Sequence, residues 1–120
     1  MSPVKSQLRV EAIDDTHWRL LDTFTYDSEV AGARITVPAG FVTDFASVPR
    51  LPFVFLLTGD TAHMAAVIHD FLYTTKLFPR ETADAVFYEA MRSTGVPRWR
   101  AWTMWLGVRV GGQAAWDRKD

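Results

Sequence analysis

The chain predicts an α+β domain: a small antiparallel sheet of three to four strands, followed by three helices packed on one face. Two observations carry this. Apolar and polar residues alternate at period two through roughly residues 1–45, and the spacing changes to the helical 3.6 over roughly residues 58–112. A third sets the scale: 120 residues, 48% hydrophobic and 22% charged, suffice for one core and not for two, so residues 1–120 are read as a single domain.

The strands come first. "QLRVEAID" and "HWRLLDTFTYD" alternate apolar with polar and are rich in β-branched and aromatic residues, as half-buried strands are. "DDTH" between them has turn chemistry, which makes the pair an antiparallel hairpin. "ARITVP" is a third strand, ended by Pro38 and Gly40, and "GFVTDF" is a candidate fourth. The apolar stretch "SVPRLPFVFL", stiffened by Pro49 and Pro52, reads as a loop.

Helices follow. "GDTAHMAAVIHDFLYTT" sets Ala62, Ala65, Ala66, His69 and Tyr73 on one face, with Asp60 or Thr61 available as N-cap. "PRETADAVFYEAMRSTG" has Pro79 before it, Glu81 in its first turn and Gly95 as its stop. "VPRWRAWTMWLGVRVGG" closes on Gly111 and Gly112.

Composition excludes some chemistry. There is no cysteine, which removes disulfides, thiolate catalysis and cysteine-bound zinc; a metal here takes histidine, carboxylate or backbone oxygen. The formal charge of −1 gives no general attraction to nucleic acid, and no groove-reading motif appears, so nucleic acid is not an expected partner. "MSPVKSQLRVEAID" shows no secretory signal, and no apolar run approaches the roughly 20 residues of a spanning helix. A cytoplasmic location is the default expectation.

Two polar clusters carry the candidate chemistry. "GFVTDFASVPR" supplies Asp44, Ser47 and Arg50, and "IHDFLY" supplies His69, Asp70 and Tyr73 inside an apolar helix. Helix neighbours point about 100° apart, so His69 and Asp70 face different ways. Arg80 and Asp84 share a face at the start of the next helix, beside the last turn of the first. Asp44, His69, Asp70, Arg80 and Asp84, with Tyr73, are therefore expected to gather where sheet meets helices.

"VPAGFVTDFASVPR", "AAVIHDFLY", "PRETADAVFYEAM" and "VRVGGQAAW" resemble, in order and spacing, an uncharacterised family of small bacteriophage and prophage proteins, a domain of unknown function (DUF thirteen fifty-three). The resemblance covers roughly residues 24 to 116, and the combination of TD-x-AS-x-P with HD-x-LY makes it specific. It implies a phage or prophage origin near late, tail or lysis genes, and no established activity.

The residues support several readings. In the structural one, Asp44 caps a turn, Arg80 bridges Asp70 and Asp84, and His69 donates to a carboxylate or carbonyl, fixing the helical layer on the sheet. In the catalytic one, Asp44, His69 and Asp84 hold Mg²⁺, Mn²⁺, Ca²⁺ or Zn²⁺. Asp70, Ser47 and Tyr73 then assist, and Arg50 or Arg80 grips an anionic group of a peptidoglycan or phosphoester substrate. The absence of a metal-helix motif and the nearby arginines weigh against it. A serine nucleophile at Ser47 lacks the G-x-S-x-G elbow.

The last helix raises another class. Trp99, Trp102 and Trp105 recur every third residue, joined by Leu106 and Arg109, with Arg98 and Arg100 nearby. Packing on the sheet and the neighbouring helix is the plain expectation. The alternatives are a docking face for a phage or host protein and an interfacial membrane helix. The expected function is thus an accessory phage or prophage protein, a virion-assembly or tail-associated interaction module. A metal-dependent hydrolase is the first alternative, and a membrane-interface or lysis-associated protein the second.

Overall fold

Strands and helices follow each other in the expected order, but the strands divide into two sheets. The computed structural model describes the backbone of residues 8–14, 17–43 and 52–118, and side chains over the same ranges except 52–63. Strand β1 (Val10–Ala12) pairs antiparallel with β2 (Trp18–Leu20), which pairs antiparallel with β5 (Val42–Thr43). Among the described residues, strand β3 (Phe24–Ser28) pairs only with β4 (Ala33–Val37), Tyr26 opposite Ile35.

The long second strand expected over "HWRLLDTFTYD" is broken at Asp22. That residue is in phase with the buried Leu20 and Phe24, where a carboxylate would have to face the core. Instead Asp22 stays exposed and accepts from Arg9 at 2.7 Å, and the chain leaves the ladder there. The β3–β4 hairpin then restarts the alternation, with Phe24, Tyr26, Ile35 and Val37 buried.

Helix α1 (Pro52–Thr75) begins well before the expected start. The apolar stretch taken for a loop is helical from Pro52 onward, so Asp60 and Thr61 lie inside the helix and do not cap it. Proline fits the first turn because its missing N–H would have no partner there. Helix α2 (Arg80–Ser93) has the anticipated bounds, with Pro79 as N-cap and Gly95 at φ +99° just past the end. Helix α3 (Arg98–Gly111) stops at the glycine pair, and a short α4 (Gln113–Arg118), not anticipated, follows. Gly112 remains in the right-handed helical region, so the pair redirects the helix without reversing it.

Layering positions the site. Helix α1 packs on β4, β5 and α2, and α2 packs on β3 and α3, so α3 lies behind α2 with α4 at its end. The α+β class holds, with α1 and α2 against the strands and α3 against α2. Each Leu, Ile, Val, Phe or Met removed from water in the shared core stabilises the fold by about 1.5–3 kcal/mol.

One tie between helix and hairpin had no sequence signal. The Glu89 carboxylate on α2 accepts from Tyr26 Oη (2.9 Å), Ser28 Oγ (2.8 Å) and the backbone N–H groups of Glu29 (3.1 Å) and Val30 (3.0 Å). Burial, reinforced by that carboxylate, pushes the Tyr26 phenol above its ordinary pKa, so it remains a donor. Glu89→Gln keeps one acceptor oxygen and turns an NH₂ toward donors, so it is expected to cost about 1–2 kcal/mol in urea unfolding. An unchanged midpoint would show that the hairpin tip does not depend on this carboxylate.

Candidate functional site

The site forms where three helix segments converge. His69 and Tyr73 are one turn apart on α1 and face α2; Arg80 and Asp84 are one turn apart on α2 and face back. Asp84 is fully buried and is the hub. Its Oδ1 is 2.6 Å from His69 Nε2 and accepts from Tyr73 Oη at 2.7 Å. Its Oδ2 accepts from Arg109 of α3 at 2.7 Å and from Arg80 at 3.4 Å. A carboxylate has about four lone-pair sites, and four donors reach this one.

Arg80 does a second task. It donates to Tyr73 Oη (3.3 Å) and to the carbonyls of Val108 (3.1 Å) and Arg109 (3.3 Å). Those carbonyls belong to the last turn of α3, where the helix dipole favours a cation; the Val108 carbonyl also accepts from the Gly112 N–H at 2.8 Å. The guanidinium therefore caps α3 while pairing with Asp84. Gly112 leaves room for this: a Cβ there would collide with the Val108 carbonyl oxygen, and would lie 2.7 Å from Tyr73 Oη and 3.0 Å from an Arg80 nitrogen.

Electrostatics follow from burial. His69 is fully buried and its pKa is lowered, because desolvation of an imidazolium outweighs the pull of Asp84 and Asp70, and Arg80 adds repulsion. The ring is neutral and donates Nε2–H to Asp84. Burial alone would raise the Asp84 pKa, but hydrogen bonds from His69, Tyr73 and Arg109 more than compensate, and it is lowered. Burial and the same carboxylate raise the Tyr73 phenol. The result is an ionised acceptor held among donors. The His69 ring also packs 4.1 Å from Tyr73 and 4.8 Å from Phe87, centroid to centroid.

Asp70 points elsewhere, as the 100° offset requires. Its Oδ2 accepts from Thr43 Oγ1 of β5 at 2.6 Å, with both residues buried. The sheet and α1 thus meet beside the His-Asp pair. Thr43 was not singled out as a site residue, although it is the threonine of the TD motif.

Of the sequence-predicted residues, His69, Tyr73, Arg80 and Asp84 come together, and Asp70 faces β5. Asp44, Ser47 and Arg50 lie outside the described residues. Arg109, assigned to the docking face, joins the cluster instead. For a metal, the fit is poor: His69 Nε2 and Asp84 Oδ1 bond to each other, and two guanidinium groups occupy Asp84 Oδ2. Among the described residues no group of three histidines and carboxylates converges as an ion site.

The tryptophans do not pack on the sheet. The inward face of α3 is Ala101, Met104 and Val108, whereas Trp99 is 62% exposed and Trp102 52%, with Trp105 half-buried at the edge. Among the described residues no helix is long and apolar enough to cross a membrane.

Comparisons with known proteins find one family and a relative. An uncharacterised protein of Sinorhizobium fredii (strain NBRC 101917 / NGR234), y4jT, is 34% identical over 98 residues, covering 79% of this chain and 29% of the relative. The chain thus spans less than a third of the length of that relative. No solved structure matches it. The family model described as "Protein of unknown function (DUF1353)" matches residues 18–108, which include His69, Asp70, Tyr73, Arg80, Asp84 and most of α3; the chain belongs to that family.

Proposed function

We propose that this chain is an interaction and assembly module of a bacteriophage or prophage. In this reading the buried Asp84 cluster is its internal joint and the outer side of α3 its working surface. The observation that carries the proposal is the orientation of α3. Ala101, Met104 and Val108 face the core, and Trp99, Trp102, Leu106 and Val110 face water, the last 79% exposed. A row of large apolar side chains on an outer face is the surface feature that marks contact with another molecule. Aromatic anchors of this kind dominate binding energy where they are buried by a partner. The phage setting rests on the four motifs, and the matched relative carries the same domain within a much longer chain.

A divalent-metal hydrolase acting on peptidoglycan or a phosphoester is the competing reading, and it requires Asp84 to give up its arginine partners. One set of measurements separates the two. In a phage or prophage carrying the gene, Trp99→Ser with Trp102→Ser is expected to lower particle yield at least about ten-fold. The unfolding midpoint of the purified double variant should move little, because both side chains are exposed. Unchanged yield sinks the proposal. So does calorimetric binding of Mg²⁺, Mn²⁺, Ca²⁺ or Zn²⁺ that Asp84→Asn abolishes.

A further inference from the structure

We infer that the outer side of α3 receives an amphipathic helix of a partner protein with carboxylates along its flank. This rests on the interaction-module reading and names the partner's chemistry. Helix α3 carries two apolar seams at helix-packing spacing. The inner one, Ala101, Met104 and Val108, steps by three and four residues and lies on the side packed within the domain. The outer one, Trp99, Trp102, Leu106 and Val110, steps by three, four and four. That is the spacing by which one helix packs along another. At 100° per residue the outer four fall within an arc of about 80°, nearly opposite the inner three, and they run about 16 Å along the axis. A lipid surface is matched by a broad apolar face with basic residues along both borders. A narrow seam three turns long is matched by a second helix.

Charge selects which helix. Between Glu89 and Asp117 the chain holds Arg92, Arg98, Arg100 and Arg109 and no acidic residue. Arg98 is exposed and lies along one border of the outer seam, where Arg109 is already paired with Asp84 at 2.7 Å, while Thr103 lies along the other. The Arg100 guanidinium sits 5.0 Å from the Trp99 ring centre, which restrains an anchor that would otherwise lose side-chain freedom on binding. A second copy of this chain is disfavoured, because a two-fold contact sets the same patch against itself and this patch has no carboxylate to answer Arg98. A partner with glutamate or aspartate beside its apolar seam completes both requirements.

The test uses the full chain and two designed amphipathic peptides, identical at their leucine a and d positions and carrying glutamate or lysine at e and g. Titration calorimetry, with tryptophan emission as a second readout, is expected to show the glutamate peptide binding at least about ten-fold tighter. That preference should weaken with salt. Arg98→Glu should reduce it, and Trp99→Ser with Trp102→Ser should remove binding of both peptides. Equal affinity for the two peptides overturns the acidic partner while leaving the module reading in place. Stronger binding to phosphatidylglycerol vesicles than to the glutamate peptide overturns the helix partner in favour of a membrane. Sedimentation showing a dimer that the tryptophan variant dissolves overturns it in favour of a second copy. Binding to none of these overturns both readings.

Discussion

Asp84→Ala is expected to lower the unfolding free energy by about 3–5 kcal/mol, the loss found when one member of a buried charged network is removed. The size follows from what remains. His69 Nε2–H and Tyr73 Oη–H would face a void, since His69 and Tyr73 are both fully buried. Arg80 and Arg109 would lose their shared counter-charge, though both side chains retain some solvent contact, at 16% and 29% exposure. A domain of this size has about 5–15 kcal/mol in total, so the variant lies at the edge of folding. Asp84→Asn should cost less, because its one oxygen can still accept from His69 and Tyr73 while its NH₂ opposes the arginines. Urea unfolding followed by circular dichroism gives both values. A loss for Asp84→Ala below about 1 kcal/mol would mean that the four hydrogen bonds do not hold the helices together.

That prediction depends on a contact the sequence made only half visible. Arg80 and Asp84 on one α2 face, and His69 with Tyr73 on one α1 face, follow from the helical period, and short connections bring those faces together. Arg109 is different: it is separated from Asp84 by 25 positions, and its place depends on how α3 crosses α2. The same gap in local information hides Glu89, whose acceptors and donors lie about 60 residues apart in the chain.

Helix α3 shows the limit most clearly. Both of its seams are apolar at helical spacing, so periodicity alone cannot say which one faces inward. The folded chain turns Ala101, Met104 and Val108 inward, and leaves Trp99, Trp102, Leu106 and Val110 outside. Hydrophobicity by itself would favour the opposite choice, which is why packing on the sheet was the plain expectation for the tryptophans. Strand breaks follow the same logic. Trp18, Leu20, Phe24 and Tyr26 of "HWRLLDTFTYD" share one phase, yet one carboxylate in that phase, at Asp22, divides the run. Where the pattern and the chemistry of each residue agreed, as in the β1–β2 hairpin and α2, the reading of the sequence matched the fold.

Acid should weaken the protein in two stages, and the first belongs to His69. The imidazole has an ordinary pKa of 6.5, lowered in the folded chain because burial penalises its charged form. Below pH 6.5 the unfolded chain therefore takes up a proton that the folded chain resists. Stability is fully present above that pH and falls as pH drops toward the folded value, with a slope of up to about 1.4 kcal/mol per pH unit. Asp84 adds the second stage: its pKa is depressed from 3.8, so its contribution holds above that value and is lost as pH falls further. Urea midpoints between pH 8 and pH 2 should be flat at first and then decline, starting about pH 6.5, with other carboxylates joining near pH 4. His69→Gln can still donate to Asp84 and has nothing to titrate, so it should remove the first decline and leave the second. If stability instead rose between pH 7 and pH 5, the His69–Asp84 contact would be an imidazolium–carboxylate pair. Burial would then be the weaker force on the ring, and His69 would reach Asp84 as a third cation beside Arg80 and Arg109 rather than as a neutral donor.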